Sequence, residues 1–336
     1  MTPIKPTRLK RGDTIGFFSP SSAATAWAPN RFARAKAYLA AQGFALQAGS
    51  LTGERDHWRS GSIVARAEEL NALIRDPEVR CIMSVIGGSN SNSLLPYLDY
   101  EALRRDPKIL IGYSDVTALL LGIHAQTGLV TFYGPALVAS FGELPPLVDE
   151  TLAAFTEICL AGERTLPHRL PTPMHWTEER LDWEQQTRAK QCQRNRLISV
   201  GGGRVRGRLI GGNLNTLAGI WGSPYMPAIE TGDILLLEDS LMSAETVERS
   251  FAHLKLCGVF ERIGALVLGK HELFDGQGSG KRPLDILLEQ VGEPRFPILA
   301  EFDCAHTHPM LTVPLGIEAE LDLDAQRLSL CEPWWR

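Results

Sequence analysis

The sequence predicts an α/β protein with two domains: an N-terminal α/β domain on a parallel sheet and a C-terminal β-rich, barrel-like domain. Three observations carry this. Through the first half, short apolar runs alternate with longer helix-period segments: "TIGFFSP", "NRFARAKAYLAAQGF", "SIVARAEELNALIRD", "VRCIMSVIGG", "NSLLPYLDYEALRRD" and "KILIGYS". Strands that alternate with helices build βαβ units, whose crossovers make a sheet mostly parallel. Between about 143 and 196, "GELPPLVDE", "TLPHRLPTPMHW" and "EERLDWEQQTRAKQCQRN" scatter prolines among charged and amide side chains, the composition of a linker and a long loop. Beyond it "RVRGRLIGGNLNTLAGI", "GDILLLEDS" and "ALVLGK" read as strands, a helix is expected at about 243 to 258, and "IEAELDLD" with "RLSLCEP" alternates as a hairpin does. The 336 residues are roughly twice a usual domain of about 150, so two units are expected. The boundaries fall at 1–165 for the N-terminal domain, 166–196 for the linker and loop, and 197–336 for the second domain.

Composition narrows the function classes. Apolar residues at 44% and charged residues at 22% are near the globular average, which excludes a disordered or coiled-coil chain. A net charge of −5 without a long basic block lacks the footprint of a general nucleic-acid binder, so the expected partner is a small molecule or peptide. The six cysteines lie far apart with no CxxC pair, which speaks against a zinc knuckle or a disulfide framework and for reduced thiols. "TIGFF" is stopped at once by Ser19-Pro20. No run approaches the roughly 20 apolar residues of a membrane helix, and a cytoplasmic protein away from membranes is expected.

In parallel sheets ligands bind beyond the carboxyl ends of the strands. Three loops sit at such ends: Ser19 to Ser22, Gly87 to Asn90, and Gly112 to Asp115. In "IGYSDVT" a strand, a glycine, one hydroxyl and a helix start stand in succession, which is how a chain holds a nucleophile on a sharp turn and also how an ordinary strand meets an N-cap. A serine attacks only when a base takes its proton, an acid orients that base and N–H groups await the oxyanion. His306 and His308, in the loop of "EFDCAHTHPMLTVPLG", supply candidate bases. The strand "GDILLLEDS" ends on Glu238-Asp239, where Glu238 is the better candidate acid and Asp239 equally reads as a cap for the helix that begins "AETVERSF". Gly87-Gly88 either faces an anion or is a plain βα turn, and without a third glycine it is no dinucleotide fingerprint. The HxH pair lacks the companions of a zinc site, so neither metal nor cofactor is expected. Trp176 and Trp183 either stack on a planar ligand or pin their loop.

"GDTIGFFSPSS", "IGGSNSNSLLPYLDY", "IGYSDVTALLLGIHAQTGLVTFYGP", "GRLIGGNLNTL", "LLLEDS" and "AHTHPMLTVPLG" occur in one order along nearly the whole chain. Together they resemble the LD-carboxypeptidase family of serine peptidases, family S66, and more closely its microcin C immunity branch. The resemblance implies an active site between the two domains, with Ser114 as nucleophile, His306 as general base and Glu238 as the orienting acid. It implies an oxyanion hole from the backbone N–H groups of Gly88 and Asp115, and substrate contacts from Gly87, Ser89, Asn90, Trp183 and Asn215. It also implies a homodimer. Immunity-type members cleave the amide joining an aminoacyl group to a modified nucleotide, which is the leading expectation here. Typical members instead release D-alanine from murein tetrapeptides, and a non-catalytic nucleotide-binding protein is the third reading. Two positions depart from the family: Ala305 replaces a common glycine before the histidine, and Met242 stands where some immunity-type members carry a lysine.

Overall fold

The computed structural model describes residues 3–160, 162, 165–304 and 306–336. Five parallel strands, Thr14–Phe18, Ala45–Ala48, Val79–Ser84, Ile109–Gly112 and Thr131–Tyr133, form the N-terminal sheet. Val79–Ser84 and Ile109–Gly112 lie inside the sheet and bury nearly every residue, so they read as continuous apolar runs. Ala45–Ala48 is an edge strand, and its two end residues are exposed. The helices between strands start on sequence signals: Ser62 Oγ accepts the Ala65 N–H to cap Ile63–Arg75, and Pro29 opens Pro29–Ala41.

The other edge of this sheet is closed from far along the chain. Val313–Leu315 pairs antiparallel with Thr131–Tyr133, so part of the expected 197–336 unit is built into the N-terminal sheet. Near the C-terminus Trp334 is fully buried, and its Nε1 donates to the Ile158 carbonyl at 2.7 Å.

The second sheet has eight strands, in the order His168–Arg169, Arg327–Leu330, Ile317–Asp322, Arg204–Asn213, Ile234–Ser240, Ala265–Glu272, Ile298–Phe302, Ile198–Val200. Its middle is parallel: Arg204–Asn213, Ile234–Ser240, Ala265–Glu272 and Ile298–Phe302 run side by side in one direction. The expected hairpin is present as Ile317–Asp322 against Arg327–Leu330. The expected barrel-like character gives way to an open sheet, since among the described residues its two end strands do not pair. The full burial of "ILLLEDS" explains the parallel block, because a strand covered on both faces loses its alternation. The expected helix is Ala244–Leu256.

Both sheets therefore present carboxyl ends of parallel strands, the place where open α/β sheets take ligands. Residues just beyond the ends of strands Val79–Ser84, Ile109–Gly112, Arg204–Asn213, Ala265–Glu272 and Ile298–Phe302, with the end of Ile234–Ser240, line one common cavity.

Candidate active site

The chain turns sharply after Ile109–Gly112. Tyr113 is still extended, whereas Ser114 adopts a left-handed φ of 62° before the short turn Ser114–Val116 runs into helix Thr117–Thr127. A left-handed serine costs on the order of 1–3 kcal/mol and persists only where its surroundings fix it. Here the Ser114 N–H donates to the Tyr133 hydroxyl at 3.2 Å. Ser114 is partly exposed and faces the cavity, while Asp115 and Val116 are buried behind it.

The acid arrives from the other sheet. Glu238 lies on strand Ile234–Ser240 where the pairing with Ala265–Glu272 shifts register between Leu237 and Asp239, a bulge of the kind that re-aims side chains. Gly269 opposite it makes room, since a methyl there would stand 2.7 Å from Glu238 Cβ. Glu238 Oε2 meets His306 Nδ1 at 2.8 Å, and its Oε1 accepts from the Tyr133 hydroxyl and from Asn213 Nδ2 at 3.1 Å. Burial works to raise the Glu238 carboxyl, but the adjacent His306 and the hydrogen bonds from His306, Tyr133 and Asn213 outweigh it and hold the group below its ordinary value. Burial likewise works to lower His306, and the Glu238 charge reverses the balance and raises it. The Tyr113 ring packs edge-on against the imidazole at 4.8 Å between centroids.

Asp239 does not cap the helix Ala244–Leu256, whose N-cap is Ser243. It accepts instead from the Asn215 N–H at 3.0 Å and from Asn213 Nδ2 at 3.1 Å, at the start of helix Leu214–Ala218. Burial and the neighbouring Glu238 push it up to about 7.

Beyond Val79–Ser84, Gly87 and Gly88 bring bare backbone up to the elbow. A methyl on Gly87 would lie 2.9 Å from Ser114 Cβ and 3.1 Å from the Asp115 nitrogen, so this edge stays open only with glycine. Gly88 has φ +147° and a methyl there would meet Ser21 Oγ at 2.3 Å. The Asp115 carboxylate accepts the N–H groups of Asn90 at 3.1 Å and Ser91 at 2.9 Å, tying elbow to loop, a task beyond the backbone role expected of it. Gly87, Gly88, Ser89, Trp183 and Asn215 all line the cavity. Asn90 does not: its side-chain oxygen accepts from Arg66 Nη1 at 2.6 Å and from Ser21 Oγ at 3.0 Å, because those donors lie behind the loop.

The cavity has a volume of about 860 Å³. Ser114, His306, Met242 and Glu272 line it, together with the loop 179–184. Trp183 stacks on Trp27 with centroids 5.2 Å apart and planes 25° from parallel, and the buried Arg31 guanidinium sits 4.4 Å from its ring centre. Arg31 in turn is held by Glu143 and Gln186. Trp27, in the four-residue helix Ala24–Trp27, gave no sequence signal of a role here. Trp176 lies outside the cavity, packed over the buried Lys270–Asp303 ion pair. His308 lines the cavity but its backbone is paired in both directions with Thr177, and burial holds its imidazole well below the usual value. Among the described residues no cluster of three metal-ligating side chains is found, and no helix is long and apolar enough to cross a membrane. Ala305 lies outside the described residues.

A left-handed serine on an elbow beside a glycine loop and a histidine held by a buried glutamate thus line the same cavity. The model of the LD-carboxypeptidase N-terminal domain matches residues 15–134, and that of the C-terminal domain matches residues 206–321. The chain belongs to the LD-carboxypeptidase family, peptidase family S66. This peptidase-family protein is 64% identical over 326 residues to a Vibrio cholerae protein named as a carboxypeptidase, covering 97% of each chain. It is 52% identical over 334 residues to the microcin C7 self-immunity protein MccF of Escherichia coli, covering 99% of this chain and 97% of MccF. Identity to a Bacillus subtilis protein named as a murein peptide carboxypeptidase is 29%, over 98% and 94% of the two chains. The wild-type apo structure of MccF superposes with a TM-score of 0.97 at 51% identity, covering 99% of this chain and 100% of MccF. MccF has also been solved with aspartyl sulfamoyl adenosine, with glutamyl sulfamoyl guanosine and, as a tryptophan-to-phenylalanine variant, with adenosine monophosphate.

Proposed function

We propose that the chain is a serine hydrolase that cleaves the amide between an aminoacyl or peptidyl group and a modified nucleotide, through Ser114, His306 and Glu238. The observation that carries this reading is one continuous cavity lined both by the serine and histidine and by the stacked pair Trp27–Trp183. Its size suits a ligand larger than a dipeptide. The far higher identity to MccF than to the murein enzyme supports the nucleotide over the tetrapeptide.

Ser114 Oγ passes its proton to His306 and attacks the scissile carbonyl, forming a tetrahedral oxyanion that the Gly88 and Asp115 N–H groups receive. His306 protonates the departing nitrogen, leaving an acyl-serine that water, deprotonated by the same histidine, hydrolyses. Glu238 stays ionised and keeps the second histidine nitrogen occupied. With Trp183 covered by Trp27 and Arg31, the nucleobase stacks on the Trp27–Trp183 pair through the more exposed Trp27, and no cofactor takes part.

Incubation with aspartyl sulfamoyl adenosine and, separately, a murein tetrapeptide, with products identified by mass spectrometry, tests the reading. Release of free aspartate is expected; release of D-alanine alone sinks it. Trp27→Ala is expected to raise KM for the nucleotide substrate by about 10- to 100-fold, the worth of one aromatic–base stack, and to leave kcat nearly unchanged. Because His306 must be neutral to accept the serine proton and Glu238 raises its pKa, kcat/KM is expected to hold at alkaline pH and to fall as pH drops through that raised value. A flat acid limb down to pH 5 contradicts a histidine base.

A further inference from the structure

We propose that Tyr133 is the positioning residue of this site: a single buried hydroxyl holds both the acid and the elbow, and so sets how strongly His306 takes a proton. This rests on the hydrolase reading above and deepens it. Tyr133 ends the strand Thr131–Tyr133, paired with Gly112 at the foot of the elbow, and it is fully buried. Its hydroxyl donates to Glu238 Oε1 and accepts the Ser114 N–H at 3.2 Å.

The polarity of these two bonds is fixed. A backbone N–H only donates, so the phenol must accept there, and its one proton is left for the carboxylate. Burial and the Glu238 charge raise the phenol well above its ordinary value and keep that proton in place. Two consequences follow for the chemistry. Tyr133 and Asn213 Nδ2 both occupy Glu238 Oε1, which leaves Oε2 to His306 and stabilises the anion against protonation. The Ser114 N–H, held by Tyr133, is turned away from oxyanion duty, so the donors must come from elsewhere on the elbow and from the glycine loop. The link also spans the sheets, joining the nucleophile's backbone to the acid without passing through the histidine.

Removal of this donor leaves the Glu238 charge less satisfied and more strongly drawn to His306, which then keeps its proton to higher pH. The other titratable groups facing the pair are Asp239 on the same strand, His271 and Glu272 on the adjacent strand, Tyr113 at the elbow, and Cys304 and His308 in the histidine loop. Tyr133→Phe changes none of them.

The test is the pH dependence of two rates in wild type and Tyr133→Phe: hydrolysis of aspartyl sulfamoyl adenosine, and labelling of Ser114 by a fluorophosphonate, which needs no natural substrate. In the variant kcat is expected to fall about 10- to 100-fold with KM within about twofold, as for loss of a hydrogen bond to a charged group. The acid limb of both rates is expected to move up by about one pH unit. Incorporation of 3-fluorotyrosine at position 133 keeps the shape and strengthens the donor, and is expected to move the limb the other way. A lowered melting temperature with an unmoved limb in both variants assigns Tyr133 a purely structural role and overturns the inference. Wild-type labelling with a shifted limb in Tyr133→Phe, but no hydrolysis of the adenylate analogue, leaves the inference standing and removes the substrate reading instead.

Discussion

Ser114→Ala is expected to lower turnover of aspartyl sulfamoyl adenosine by on the order of 10⁴- to 10⁶-fold, the scale on which serine hydrolases lose rate with their nucleophile. Binding is expected to survive within a few fold. The contacts that shape the elbow do not use the hydroxyl: the Ser114 N–H goes to Tyr133 and the Asp115 carboxylate to the glycine loop. Alanine pays about the same cost as serine in the left-handed region, so the turn keeps its form. Titration calorimetry of the variant with intact substrate reads the binding, and product formation over hours reads the residual rate. Turnover near the wild-type rate removes Ser114 from the mechanism; lost binding with a lost rate points to a collapsed elbow.

Glu238→Gln is the second large effect. The substitution keeps the volume but removes the charge that raises His306, and it offers the imidazole an amide that can present either oxygen or N–H. A histidine in the wrong tautomer cannot accept the serine proton, and the corresponding loss in serine proteases is about 10⁴-fold in kcat. A drop of on the order of 10³- to 10⁴-fold is therefore expected here. Stability should also fall, by about 1–3 kcal/mol, because the buried Tyr133 hydroxyl and Asn213 amide lose a charged acceptor. Urea unfolding alongside kinetics separates the two effects, and activity within tenfold of wild type contradicts Glu238 as the orienting acid.

The parts of the site legible in the sequence are those whose chemistry is local. "IGYSDVT" announces a strand, a turn and a helix in seven residues, and "VIGGSN" announces a bare-backbone loop at a strand end. The acid was visible because two carboxylates end an otherwise apolar strand. Tyr133 was not, since "VTFYGP" reads as a plain core strand and only the pairing with Ile109–Gly112 puts its hydroxyl under the elbow. Asn213 is hidden the same way: its register opposite Glu238 is a property of the sheet order. Trp27 comes from a helix too short to show periodicity, and reaches Trp183 only through the packing of the loop 179–184. The parallel block of the second sheet had a local signal in "ILLLEDS", whose unbroken apolar run is that of a strand buried on both faces. The crossing of Val313–Leu315 into the N-terminal sheet had none. Asn90, a substrate contact by resemblance, is instead held by Arg66, a partner 24 residues away that nothing in the local sequence reveals.

The most direct measurement is exhaustive reaction of the wild-type protein with a fluorophosphonate, followed by intact mass and peptide mapping. A single adduct on Ser114, formed far more slowly in His306→Ala and blocked by aspartyl sulfamoyl adenosine, is the predicted result. An adduct on another serine, in a protein that still hydrolyses its substrate after Ser114→Ala, would contradict it.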